Sequence, residues 1–419
     1  MRIKKVVRAL IPAPILSLYH LALAYLGAAF YRFPSKKLVV IGVTGTDGKS
    51  STAEYINAIF ESAGRTTALS NSIRIKIADR TEPSTGRSMP GRFFIQRFMR
   101  HALRAGCTHA IIEMTSEGVR QHRHRGIALD ALVFTNLSPE HIESHGSLTA
   151  YANAKFEIGL ALARSAKRPR TIVANQDDSE SARYLALPVE ATRGFSLTTA
   201  APWHSDEHGG YFTFDGTRID VRLPGEFSLK NALTGAEVAR ACGIGTDAIV
   251  SGIARVESIP GRLERIEAGQ PFAVVVDYAL TPEALEALYK TFAHKKKVCV
   301  FGTAGGGRDR WKRPVLGALA EKYCEAVIIT NDIAYDEDPR AIAEDIARSM
   351  QKRPTIELDR RKAIRRAFEI AHSMSDAIVL ITGMGIDTEI TGRGGTTIPW
   401  SDAAVAREEL DRYKEAKRV

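Results

Sequence analysis

The chain has 419 residues, 44% of them hydrophobic and 25% charged, the balance of a soluble globular protein long enough for two or three domains with their own cores. A net charge of +10 suits anionic substrates, an anionic membrane surface or nucleic acid, but the basic residues are not interleaved with aromatics on one recognisable face, which argues against nucleic acid. The four cysteines, Cys107, Cys242, Cys299 and Cys324, show no CxxC spacing, which argues against a zinc ribbon and reads as buried thiols in a reducing cytoplasm.

Residues 1–36 form a short apolar, helical segment of unusual pattern. Arg2, Lys4, Lys5 and Arg8 precede an uncharged run from Ala9 to Tyr31, and Arg32, Lys36 and Lys37 close it. Pro12 and Pro14 should break a helix early, leaving about 17 residues from Ile15, marginal for crossing a bilayer. Two readings stay open. The segment lies in the cytoplasmic face of a membrane, with Tyr19, Tyr25, Phe30, Tyr31 and Phe33 at the interface, or it docks on the protein itself or a second subunit. A cleaved signal peptide does not fit, because an ATP-type phosphate loop follows at once.

That loop is the stretch Leu38 to Thr52, LVVIGVTGTDGKSST. Leu38–Val43 reads as a buried parallel strand, Thr44-Gly45-Thr46-Asp47-Gly48 as a tight turn, and Ala53–Ala63 as a helix. Such a junction aims backbone N–H groups and the positive end of a helix dipole at an anion. Lys49 would reach the β- and γ-phosphates of ATP, Ser50 would ligate Mg²⁺, and Ser51 completes the helix start. Val43 stands where the common Walker A form has its first glycine.

From Lys37 to about Ile259 strands alternate with helices, as in a parallel sheet covered on both faces. Ala110–Glu113, Ala131–Thr135 and Thr171–Ala174 read as short buried strands whose ends carry Glu113, Asn136 and Asn175 toward the phosphate loop. Pro260-Gly261-Arg262 marks a boundary. Beyond it, strands at Ala273–Val276, Lys297–Phe301, Ala326–Thr330 and Ala377–Thr382 predict a second α/β domain, whose turn Gly302–Gly307 is weak evidence for a nucleotide by itself. The predicted fold is therefore α/β: an ATPase-like parallel-sheet domain over 37–262, a Rossmann-like domain over 263–419, and the apolar segment 1–36.

Glu113 and His141, the latter in NLSPEHIESH, could hold a divalent cation between nucleotide and substrate, although a lone histidine is more often structural. Lys155 falls in an amphipathic helix, where a lysine ordinarily snorkels to the surface.

These residues also carry a resemblance. Thr44–Thr52, Phe134-Thr135-Asn136-Leu137, Glu140-His141, His145-Gly146 and Tyr151–Lys155 resemble the ATP-dependent Mur ligases, and most closely the muramyl-tripeptide synthetases. The similarity runs on through Leu223-Pro224-Gly225, Asn231, Pro260-Gly261-Arg262, Val276-Asp277-Tyr278-Ala279, Lys312-Arg313-Pro314 and Ile381-Thr382-Gly383. It implies ATP-driven activation of a peptide carboxylate as an acyl phosphate, then attack by an amine. In that chemistry Lys49 and Gly45–Gly48 hold phosphates, Ser50 and Glu113 bind one Mg²⁺, and His141 helps with a second. Lys155 matches a lysine that relatives carry as a carbamate. Asn231 and Arg262 match nucleotide contacts, Asp277 matches an acidic residue at the ribose, and Thr115, Gln121 and Arg123 match positions that hold a muramyl peptide. His122 and His124 read as bystanders.

The departures are as specific. Relatives carry an N-terminal domain that grips UDP, where this chain has its apolar segment, so a lipid-linked acid is one expectation. Asp47 replaces an asparagine, a substitution that fits only if the carboxylate faces a metal or the backbone. Leu280 replaces a histidine. Asn331-Asp332-Ile333-Ala334-Tyr335 replaces the Asp-Asn-Pro-Arg that binds meso-diaminopimelate, and Gly385-Ile386-Asp387 stands where Gly-His-Glu is usual; losing the arginine removes a bidentate carboxylate partner. The leading expectation is a cytoplasmic amide ligase acting on a muramyl-peptide-like acid and an amino acid. The alternatives are the same chemistry on another acid, such as a folate polyglutamate or pseudopeptidoglycan peptide, or a nucleotide-binding scaffold tethered to the membrane.

Overall fold

A computed structural model describes residues 12–84, 86 and 88–418; Arg2, Lys4, Lys5 and Arg8 lie outside the described residues. The first sheet holds eight strands in the order β4-β3-β2-β5-β1-β6-β7-β8. They are β1 (Val39–Thr44), β2 (Thr67–Ser70), β3 (Arg74–Ile77), β4 (Arg80–Pro83), β5 (His109–Glu113), β6 (Ala131–Phe134), β7 (Thr171–Asn175) and β8 (Ala191–Phe195). β1 sits in the middle, parallel to β5 and β6, with Val43 opposite Glu113. Its alternating side chains feed two cores: Ile41 and Val43 pack under helices Lys49–Ser62 and Glu226–Ala241, whereas Leu38 and Val40 pack on the other face with Ile95, Phe98 and Met99. Burial on both faces is why the strand reads as an unbroken apolar run.

The expected all-parallel pattern fails in two places. β3 and β4 form an antiparallel ribbon on β2. β9 (His204–Ser205), β10 (Gly210–Phe214) and β11 (Thr217–Val221) form a separate antiparallel sheet, which buries Phe212, Phe214 and Ile219 in the core of Ile41. Hairpin connections of a few residues give antiparallel pairs, and no helix was available between these strands to turn them parallel.

The second sheet orders β12 (Glu264–Arg265), β13 (Ala273–Asp277), β17 (Ala377–Thr382), β14 (Lys296–Phe301), β15 (Ala326–Ile329) and β16 (Thr355–Ile356) as β12-β13-β17-β14-β15-β16. All its pairs are parallel except β12 with β13. Cys299 on β14 and Cys324, just past the helix Lys312–Tyr323, are joined as a disulfide, which corrects the reading of four separate thiols; Cys107 and Cys242 are free. The helix folds back along the sheet and brings together two cysteines 25 residues apart, a pairing that no short motif announces.

The helix Ala13–Phe30 starts two residues earlier than expected, because Pro14 sits in its first turn, where the missing N–H costs nothing. It docks on the protein: Ala24, Gly27 and Ala28 are buried against helix Arg92–Arg104 and the loop at Gly126. No helix among the described residues is long and apolar enough to cross a membrane.

Candidate active site

The carboxyl ends of both parallel sheets face one cleft of about 820 Å³. On the first side, Gly48 has φ +78° and begins the helix Lys49–Ser62, which no side chain caps. A Cβ at Gly48 would lie 2.4 Å from Asn231 Oδ1, and one at Gly45 would lie 1.9 Å from Thr135 Oγ1, so both positions require glycine. Thr135 and Asn136, just beyond β6, fix the turn: the Asp47 N–H donates to Asn136 Oδ1 at 2.8 Å, and Thr135 Oγ1 donates to the Asp47 carbonyl at 2.7 Å. Lys49 Nζ folds back onto the Thr46 carbonyl at 2.6 Å. The result is a helix N-terminus and an ammonium group at the cleft, an anion cradle.

Glu113 Oε2 accepts from Ser50 Oγ at 2.8 Å, from the Ser72 N–H at 3.0 Å and from Ser72 Oγ at 3.1 Å. Carboxylate and hydroxyl oxygens together are the donor set that a hard cation such as Mg²⁺ takes, so the residues present fit that ion. Ser72 was not singled out from sequence. Its only signal is position, in the polar run Ser70-Asn71-Ser72 that leaves β2 at the same edge of the sheet. His141 lines the cleft but keeps company with Glu140, its Nε2 3.7 Å from Glu140 Oε2. Among the described residues, no group of three or more His, Cys, Asp or Glu side chains is gathered closely enough to hold a metal by itself.

Lys155 points inward rather than snorkelling to the surface. It is 2% exposed, donates to the Gly45 carbonyl at 2.5 Å, and lies 4.5 Å over the Tyr151 ring. Burial, reinforced by Lys49, pushes its pKa well below the ordinary lysine value. Burial of that kind favours the neutral, nucleophilic form of the amine.

On the other side, Arg262 lies 4.5 Å over the Tyr278 ring, and Asp277 Oδ2 accepts the Leu263 N–H at 2.8 Å. Burial raises the pKa of Asp277. Asp387 is pushed up to about 7 by burial and by Asp332; Asp332 is itself raised by burial, and its Oδ2 has no hydrogen-bond partner among the described residues. The turn Gly302–Gly307 packs instead against the segment Thr330–Tyr335: a Cβ at Gly302 would lie 2.4 Å from the Thr330 carbonyl, and one at Gly305 would lie 2.3 Å from that of Ala334. It does not face the phosphate loop's helix.

Polar latches join the sides at the cleft. Thr281 Oγ1 donates to Asp47 Oδ2 at 3.1 Å, and the Asp309 carboxylate accepts the N–H groups of His141 at 3.0 Å and Ile142 at 3.1 Å. Asp47 therefore faces a hydroxyl of the second unit, and burial followed by Glu140 raises its pKa to about 6.

The remaining candidates divide. Thr115 and Arg123 line the cleft, whereas Gln121 does not. The Thr115 hydroxyl caps its own helix by accepting the Gly118 N–H at 3.1 Å, and Gln121 Oε1 accepts from Arg123 at 2.9 Å.

Comparison with known proteins agrees with this arrangement. Residues 43–239 match the Mur ligase middle domain, and residues 261–385 match the Mur ligase, glutamate ligase domain. The UDP-N-acetylmuramyl-tripeptide synthetase of Roseiflexus sp. (strain RS-1) is 37% identical across 96% of this chain and 84% of its own. The UDP-N-acetylmuramoyl-L-alanyl-D-glutamate--2,6-diaminopimelate ligase of Geobacillus kaustophilus is 33% identical across 95% and 84%. A solved structure of a ligase of that second name superposes with a TM-score of 0.61 at 26% identity, covering 94% of this chain and 83% of its own. The folylpolyglutamate synthase of Mycobacterium tuberculosis shares the fold, with a TM-score of 0.68 at 21% identity over 87% and 93%. With the phosphate cradle, the oxygen cluster around Glu113 and the second sheet all in one cleft, this chain belongs to the Mur ligases, a family of ATP-dependent ligases.

Proposed function

We propose that the protein joins an amino acid to the carboxylate of a muramyl-peptide-like acid through an acyl phosphate, releasing ADP. What carries this reading is the single cleft between a phosphate cradle and the ends of a second parallel sheet, the arrangement needed to bring a nucleotide, an acid and an amine together. Lys49 and the Gly45–Gly48 turn hold the phosphates, with Thr46 and Ser51 beside them; Asn231, Arg262 and Asp277 contact the rest of the nucleotide. Mg²⁺ would sit at Ser50 and Glu113, with His141 on a second ion, and would supply charge neutralisation to the phosphates. Thr115 and Arg123 position the acid, and Gln121 acts from outside the cleft by accepting a hydrogen bond from Arg123. Domain boundaries at 36 and 262 accompany this reading.

The buried amine of Lys155, biased by burial toward its neutral form, is suited to carbamylation. Its nitrogen lone pair attacks the carbon of CO₂, an N–C bond forms, and one proton leaves to solvent, so a neutral group becomes an anion beside the metal site. In the second unit, Asp332 and Tyr335 stand where a carboxylate-binding arginine is absent, so meso-diaminopimelate is not the amine donor. The decisive experiment is ADP release with UDP-linked and lipid-linked muramyl peptides, each paired with L-lysine, meso-diaminopimelate and other amines. Turnover that requires one acid and one amine together supports the reading. Stimulation by meso-diaminopimelate above every other amine overturns the donor assignment, and absence of stimulation by any pair overturns the muramyl-peptide acid.

A further inference from the structure

An ordinary surface helix turns its largest apolar side chains inward, because burying them gives the greatest gain. The helix Ala13–Phe30 does the reverse. The buried residues of its protein-facing side are small, Ala24, Gly27 and Ala28, with half-buried His20 beside them against Arg92, and they pack so closely that a Cβ at Gly126 would lie 2.8 Å from that of Ala28. Its outer side carries Ile15, Leu18, Tyr19, Tyr25, Leu26 and Phe30, with Leu18 66% exposed and Phe30 72%. These fall at the 3–4 residue spacing of one helical face. The neighbouring helix Arg92–Arg104 extends the surface, since the exposed Phe93 ring lies 6.4 Å from that of Phe30.

The charges around this face have one sign. Arg97, Arg100 and Arg104 follow Phe93 at spacings that keep them on its side of the helix, and Arg32, Lys36 and Lys37 close the other end. Among the described residues, none of these six has a carboxylate within salt-bridge distance. Neither residues 1–46 nor residues 83–112 contain an aspartate or glutamate. A large apolar stripe framed by unpaired cations and free of acids is complementary to a lipid interface with anionic headgroups.

We propose that this face, formed by the helices Ala13–Phe30 and Arg92–Arg104, seats the protein on the surface of an anionic phospholipid bilayer without crossing it. The helix inserts one side among the acyl chains while its small-residue side stays on the protein. The same helix contacts the loop of the candidate acid-binding residues, with Ser17 Oγ 2.8 Å from His122 Nε2, so the bilayer would lie beside one end of the cleft. The surface stands on its own residues and does not depend on the ligase reading.

The test is co-sedimentation of the full chain with vesicles of phosphatidylglycerol and phosphatidylethanolamine, and with vesicles of phosphatidylcholine alone. Binding to the anionic vesicles is expected to exceed binding to phosphatidylcholine at least about tenfold and to weaken with salt. L18E/L26E should lose binding by a similar factor, and R97E/R104E should lose it on anionic vesicles alone. Retained ATP binding and an unchanged melting temperature show that the variants fold. Equal binding to both vesicle types overturns the anionic assignment. A full chain that ignores all vesicles overturns the proposal; if it then forms a dimer that L18E/L26E dissociates, the face belongs to a second copy. R97E/R104E keeps the test decisive if the first variant does not fold.

Discussion

The two sides of the cleft handle buried charge in opposite ways. On the phosphate side, Glu113 accepts three hydrogen bonds from Ser50 and Ser72, so the chain itself satisfies the carboxylate. On the other side, Asp332 is 4% exposed with an oxygen that no described group reaches, and Asp387 beside it is held protonated up to about pH 7. A satisfied carboxylate is preorganised and keeps its geometry without a ligand. An unsatisfied one carries a desolvation cost that an incoming donor group can relieve. Glu113 is thus held in place without a ligand, whereas Asp332 and Asp387 gain most from one.

The sharpest way to break this contrast is Glu113→Gln. All three hydrogen bonds end on Oε2, a place the amide oxygen can take and keep, but a neutral amide cannot neutralise a cation. ADP release should fall by about 100-fold or more, while the melting temperature changes little. Activity within tenfold of the parent would show that Glu113 is structural. Lys155→Arg comes next: a guanidinium cannot become a neutral amine at working pH, so activity should drop by at least about tenfold, and added bicarbonate should stimulate the parent but not the variant. Equal bicarbonate response in both would remove the carbamate.

How much of this was legible follows from distance along the chain. The cradle was readable because strand, glycine turn, Lys49 and helix are contiguous, and each imposes its own residue type. The partnership of Ser72 with Glu113 was not, since parallel pairing of β2 with β5 brings together residues 41 apart. The latch of Asp309 on His141 joins residues 168 apart, and nothing local marks it. Lys155 looked like a surface lysine because helical periodicity cannot say which face a second loop will cover. The helix Ala13–Phe30 was undecided for a different reason: with no charge on either side, only the docked small residues reveal which face stays open.

Asp387→Asn probes the second side through stability. The folded pKa of about 7 lies above the ordinary value of 3.8, so between these limits the folded state binds more protons than the unfolded one. Stability must then fall as pH rises from about 4 to 7 and level off above. Asparagine removes that contribution, so the variant should lose less stability than the parent over the same range, by about 4 kcal/mol at most. Denaturant titrations at pH 5 and 8 measure it. Parallel curves for both proteins would mean that Tyr278 and Arg262 offset the burial of Asp387 and that the contrast between the two sides is false.

The smallest effect belongs to Asp47, where the two sides touch. Its carboxyl is raised to about 6, so it is mostly neutral at pH 5.5 and mostly ionised at pH 8. Ionised, it adds negative charge beside the phosphate cradle; neutral, it does not. ATP affinity in the parent should therefore weaken about threefold as pH rises through 6, on the scale of a partly compensated charge. In Asp47→Asn the side-chain oxygen still accepts the Thr281 hydroxyl, so the latch persists while the titration disappears. Calorimetric ATP binding in the variant should be flatter through pH 6 than in the parent and tighter at pH 8. If the parent and variant instead follow the same pH curve, the charge at position 47 is neutralised by Lys49, and the latch alone accounts for this residue.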